Sequence, residues 1–149
     1  VRRLQAAEVV VNTVSASCSW SRWQNGRVVV FHCVNCQQPL TGKVKPGEPL
    51  RGPERPPGNE IASPRMAQGT FKVNFDGSLL ILHPDDVPGT ALHSDARRVN
   101  GCCGLAGQDG PNLVCSGCGV EVATKESDCW TENLVALVAA AVSEDPQSK

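Results

Sequence analysis

The chain has 149 residues, 14 basic and 15 acidic side chains, a formal net charge of −1 and eight cysteines. So balanced a charge lacks the basic excess that grips a nucleic-acid backbone, and no apolar run reaches the roughly 18 residues a membrane helix needs. Aromatics are scarce at 4% and tyrosine is absent, so the core must rest on Val, Leu, Ile and Ala, and a core that light gains from a metal staple.

Residues 8–14, Glu-Val-Val-Val-Asn-Thr-Val, are β-branched and predict a strand. A polar stretch from Ser15 to Gln24 carries Trp20 and Trp23, read as core filling before a cation cage. Asn25-Gly26 signals a turn, and Arg27 to His32 predicts a second strand that delivers Cys33. The stretch 39–69 holds seven prolines and five glycines. Proline deletes ladder donors, so this is read as a Pro/Gly-rich loop or insertion.

The clearest hairpin follows. Phe71 to Phe75 and Ser78 to Leu82 flank Asp76-Gly77, which suits a two-residue type I′ turn. That register pairs Phe75 with Ser78, Val73 with Leu80 and Phe71 with Leu82, and it puts Phe71, Val73, Leu80 and Leu82 on one apolar face. A loop runs from Pro84 to Ala96, and the glycine-rich 101–111 leads to a short strand, Asn112 to Val114. Gly119 follows the second cysteine pair, where a turn around sulfur needs positive φ. Val120 to Thr124 alternates as an exit strand. Leu134, Val135, Leu137, Val138, Ala141 and Val142 stand at helical spacing, so a C-terminal helix is expected, capped by Asp128 or Thr131 and stopped by Pro146. The sum is a mainly β fold with a C-terminal helix, a small zinc-knuckle-stapled sheet. We read 1–149 as one domain with a polar tail at 143–149.

The chemistry lies in Cys33-Val-Asn-Cys36 and Cys115-Ser-Gly-Cys118. Two Cys-x-x-Cys pairs supply the four soft thiolates of a tetrahedral Zn²⁺ site. Four thiolates leave no open position, which makes such a zinc structural. Eight cysteines in an oxidising compartment would instead suggest disulfides. The knuckle spacing favours zinc, and with it a reducing, cytoplasmic setting. The chain opens on Val1 rather than Met, and Val1 to Gln5 shows no apolar leader.

Cys102, Cys103 and Cys129 are the remaining candidates for a second metal or redox site, with His83 or His93 as further ligands. Against that stands burial of Cys18, Cys102, Cys103 and Cys129 as small apolar residues. Exchange of Cys102 or Cys103 for one of the four knuckle ligands is a further alternative. Cys129 at a helix N-terminus would favour thiolate, with His32, His83 or His93 as base, although packing is the plainer reading and His32 fits a strand or a supporting donor. Asp85-Asp86 and Asp109-Gly110 are read as loop chemistry. The main phosphate-loop, nucleophile-elbow and zincin motifs are absent.

The order of knuckle, Pro-rich loop, hairpin, second knuckle and strand, with Cys118-Gly119-Val120-Glu121-Val122 leaving the metal, resembles the β-tent zinc folds. These include the Yippee proteins, the thalidomide-binding domain of cereblon and methionine sulfoxide reductase B. The resemblance covers residues 28–124 in architecture and implies one Zn²⁺ clamped by two hairpins. It carries over neither catalysis nor a ligand pocket: the reductase's Gly-Trp-Pro-Ser stretch is missing, and Gly119-Val120-Glu121 stands where the cereblon-type domain has Gly-Trp.

The expected function is therefore a zinc-binding protein with a structural Cys33/Cys36/Cys115/Cys118 site. It is a non-catalytic binding or adaptor domain for a protein partner or small ligand, without a membrane role. The alternative is a thiol-dependent oxidoreductase using Cys129 or Cys102/Cys103. Third comes nucleic-acid binding through the knuckles with Arg22, Arg27, Arg97 and Arg98, which the neutral charge disfavours.

Overall fold

The computed structural model describes residues 27–50 and 61–144. The strand expected at 8–14, Trp20, Trp23, Cys18, Arg22, Pro146 and most of the tail lie outside the described residues. Among the described residues nine strands form: β1 (His32–Cys33), β2 (Lys45–Pro46), β3 (Thr70–Val73), β4 (Leu79–Leu82), β5 (Thr90–Leu92), β6 (Leu113–Cys115), β7 (Glu121–Glu126), β8 (Leu134–Val138) and β9 (Val142–Ser143). Seven of them make one sheet in the order β2-β3-β4-β8-β7-β6-β5, and β1 pairs with β9 in a second, two-stranded sheet. Within the Pro/Gly-rich stretch, β2 pairs parallel to β3. Every other pair is antiparallel.

The β3–β4 register is the expected one, with Phe71 opposite Leu82 and Val73 opposite Leu80. The turn differs. Gly77 has φ +79°, and Gln37 is the one non-glycine at positive φ among the described residues, so Asp76 does not take the type I′ conformation. Instead the Gly77 N–H donates to Asn74 O, and the Asp76 carboxylate accepts from the Ser78 N–H and hydroxyl. Side-chain acceptors thus replace a two-residue turn. Phe75 sits in this longer turn, 98% exposed.

The C-terminal helix is not formed. Leu134–Val138 is the central strand β8, between β4 and β7, and only Ala139–Ala141 turns as a 3-10 helix. The physical cause is burial on both faces. Leu80, Leu82, Val135 and Leu137 close one side with Phe71 and Val122. On the other, Ala62 and Met66 are buried and Asn133 Nδ2 donates to Ala62 O, while the Arg65 N–H donates to Asn133 O. A strand covered on both faces reads as an unbroken apolar run, and over few residues such a run matches helical spacing equally well. The expected caps serve other ends: Asp128 binds loop amides, and Thr131 Oγ1 accepts from the Asp128 N–H.

The segment before β2 completes the core. Phe31 packs edge-on against Phe71, with ring centroids 5.2 Å apart and planes at 88°, and Val29, Leu40 and Val44 join the same cluster. Val29 and Val44 exchange both backbone hydrogen bonds, at 2.8 and 2.9 Å. Among the described residues, Phe31 and Phe71 are thus the buried aromatic pair of this core.

Candidate metal centre

Each cysteine pair sits at a strand end followed by a tight turn. Cys33 ends β1, and the Gln37 N–H returns to its carbonyl at 2.7 Å. Cys115 ends β6, and the Gly119 N–H returns to its carbonyl at 2.8 Å. The residue four places after the first cysteine is left-handed in both, Gln37 at φ +67° and Gly119 at φ +81°. The two knuckles are therefore the same structure, and the glycine mark read at Gly119 has its counterpart at a glutamine. Gly117 N–H points at Cys115 Sγ, 3.4 Å away. Gln38 ties the knuckles together by donating to Ser116 Oγ and to Gly89 O. Gly89 lies so close to Pro39 and Leu40 that a Cβ there would meet backbone.

The structure brings all four predicted ligands together. The sulfurs of Cys33, Cys36, Cys115 and Cys118 lie within 4.8 Å of one another, with Cys33–Cys118 at 3.7 Å and Cys36–Cys115 at 3.5 Å. A tetrahedron of Zn–S bonds near 2.3 Å has an edge of about 3.8 Å. The donor set and its span therefore fit a metal ion. Electrostatics agree. The Asn35 side chain, then the Val120 N–H, lower the Cys118 thiol to about 6. Cys36 keeps one favourable bond from the Gln38 N–H, but its neighbours, Cys115 first, push it up to about 12. Burial raises Cys33. One sulfur ionises readily and its neighbours then resist, which is what a cation at the centre would relieve.

A second group forms apart from the first: the sulfurs of Cys102, Cys103 and Cys129 also lie within 4.8 Å of one another. Two alternatives fall with this placement. Cys102 and Cys103 are exposed rather than buried apolar residues, and neither replaces a knuckle ligand. Only Cys129 is buried, at 7% exposure. Without a helix behind it, Cys129 gains no help toward thiolate, and the Cys103 thiol beside it pushes it up to about 12.

The histidines are engaged elsewhere. His93 pairs with Glu121 at 2.8 Å and accepts from the Asp95 N–H, His83 accepts from the Asp85 N–H, and His32 Nδ1 lies 3.1 Å from Val30 O. Of the arginines proposed for nucleic acid, Arg27 pairs with Glu144, Arg97 with Asp95 and Arg98 with Glu121, and Arg22 lies outside the described residues. Asp86 accepts from the Gly69 N–H, which is loop chemistry as read.

No family model, no curated protein and no solved structure matches the chain. What sequence reasoning missed is Asp128. It lies beside a cysteine and carries no motif spacing, yet its carboxylate is fully buried and accepts from the Cys102, Cys103 and Cys129 N–H groups and the Trp130 indole. Those amides, Cys103 first, hold its carboxyl well below the usual carboxylate range. Among the described residues no helix is long and apolar enough to cross a membrane.

Proposed function

We propose that the protein is a zinc-stapled, non-catalytic binding domain in which Cys33, Cys36, Cys115 and Cys118 hold one structural Zn²⁺. The observation that carries this is the gathering of four sulfurs from two like knuckles at tetrahedral spacing. Zinc is the ion of choice for an all-thiolate site, because soft sulfur selects it over hard cations and S₄ geometry matches its preference. With every position taken by protein, the ion joins elements rather than performing chemistry. The histidines' other engagements favour this over the oxidoreductase reading, since a nucleophilic thiol needs a base beside it. The loops within 39–69 and 84–111 then supply any recognition surface for a protein partner or small ligand. The β-tent resemblance is consistent with this use of the metal.

The test is zinc content and folding of single alanine variants. Cys33→Ala and Cys115→Ala should each lose that zinc and unfold. A variant that stays folded without it would overturn the structural role.

A further inference from the structure

The Cys102, Cys103, Cys129 group is built rather than incidental. One buried carboxylate, that of Asp128, fixes all three cysteine backbones: the Cys102 N–H at 2.8 Å, Cys103 at 2.7 Å and Cys129 at 2.7 Å. Its two oxygens share four donors, the last being Trp130 Nε1 at 3.0 Å. The loop around Cys102 and Cys103 is docked further by Leu105 N–H on Ser127 Oγ and Ser127 N–H on Leu105 O. Glycine is required on both sides of the cysteine pair. A Cβ on Gly101 would lie 2.7 Å from the Asp128 carboxylate and inside the Gly104 carbonyl, and one on Gly104 would strike Ser127 O. An adjacent cysteine pair is thus brought to a third cysteine in the turn that follows β7, and the sulfurs of the pair stand 3.8 Å apart.

We propose that Cys102, Cys103 and Cys129 form a second metal site, one with an open coordination position for an external ligand on Zn²⁺. The 3.8 Å separation again equals a zinc–sulfur tetrahedron edge. Three protein ligands leave the fourth position free, as in reactive rather than structural zinc sites. It opens on the solvent side, because Cys102 and Cys103 are exposed and Cys129 forms the buried floor. The ligand it takes is a soft or borderline donor, a thiol or an imidazole. Metal entry displaces three thiol protons, and no oxidant or reductant is required. Asp128 is a positioning residue: it touches no metal and orients the ligands through their amides, as outer carboxylates do in other zinc centres. This site does not depend on the knuckle site.

The experiment uses the full chain. Native mass spectrometry should count two zinc ions, falling to one in Cys102→Ser/Cys103→Ser, whose two exposed changes leave the core intact. Cobalt(II) then replaces zinc as the probe. Added 2-mercaptoethanol or imidazole should shift the visible bands of the wild-type protein and leave those of the double variant unchanged. Asp128→Asn should weaken metal retention at this site by about 10- to 100-fold in chelator competition. One zinc in wild type and one in the double variant would overturn the proposal and leave the knuckle site standing. One zinc lost in the double variant but kept in Cys36→Ser would support the proposal and defeat the knuckle reading. Two ions with cobalt bands insensitive to either ligand, or a disulfide within Cys102, Cys103 and Cys129 in place of metal, would also overturn it.

Discussion

At Gln37 an ordinary side chain occupies a backbone conformation that its counterpart fills with glycine. The two knuckles superpose in pattern, Cys33 to Gln37 and Cys115 to Gly119, with φ +67° and +81°. An L-residue in the left-handed region costs about 1–2 kcal/mol, offset in part by glycine's greater freedom in the unfolded chain. Gln37 recovers little, because its exposed amide reaches Val34 O at 3.4 Å. Gln37→Gly should therefore stabilise the protein by up to about 1 kcal/mol. Gly119→Ala should destabilise it by about 1 kcal/mol. A Cβ at Gly119 meets nothing within 4 Å, so that loss is purely conformational. Urea unfolding of the zinc-loaded protein measures both, and shifts of the same sign would contradict the shared geometry. The sequence makes Gly119 legible because glycine advertises positive φ. It conceals Gln37, because no residue type there marks the same turn.

Among the strands, legibility follows how many faces are covered. The β3–β4 register could be read because Phe71, Leu80 and Leu82 point to one core while their neighbours alternate with them. β8 could not, because Leu134 to Leu137 are buried without alternation. The knuckle ligands were legible from spacing; Cys102, Cys103 and Cys129 were named as candidates, but their grouping depends on a loop docking across the fold and on Asp128, which local pattern does not encode. Next to β8 the structure also stores a charge conflict. Glu126, opposite Leu134 at the end of β7, is half-buried. Desolvation raises its carboxyl above the ordinary value of 4.5, the Glu132 N–H opposes this, and the Glu132 charge adds to it. The folded state therefore holds this proton more tightly than the unfolded chain. Its contribution is favourable below pH 4.5 and is lost as pH rises through the elevated value. Glu126→Gln should accordingly raise stability at neutral pH, with little gain at pH 4. Denaturation at the two pH values checks this, and an equal gain at both would assign the effect to something other than ionisation.

At the scale of the molecule, a metal held by the four thiols would join two sheets that no strand ladder connects, beside the Gln38 hydrogen bonds to Ser116 and Gly89. Cys33 belongs to the two-stranded sheet and Cys115 to the seven-stranded one, and no ladder connects those sheets among the described residues. Beneath the four sulfurs, however, one cluster spans both sheets: Cys33, with Val142 against it, and the flanking Phe31 and Leu40 pack with Phe71, Leu80, Leu82, Val135 and Leu137. The four sulfurs therefore sit at the rim of a shared core, not between two independent ones. Closing the loop between the knuckles, residues 37–114, removes unfolded-state entropy equivalent to about 4–5 kcal/mol if a metal bridge acts as a disulfide does. That is a large share of the roughly 5–15 kcal/mol of a typical domain. Chelation should thus melt both sheets in a single cooperative step. In the Cys102→Ser/Cys103→Ser variant, which removes the second site beside Trp130, far-ultraviolet circular dichroism and total tryptophan fluorescence should give the same midpoint as chelator is increased. Two separated midpoints, with the strand signal outlasting the indole signal, would show that the seven-stranded sheet stands without its staple, and that the packing of Phe31 on Phe71 does not couple the sheets.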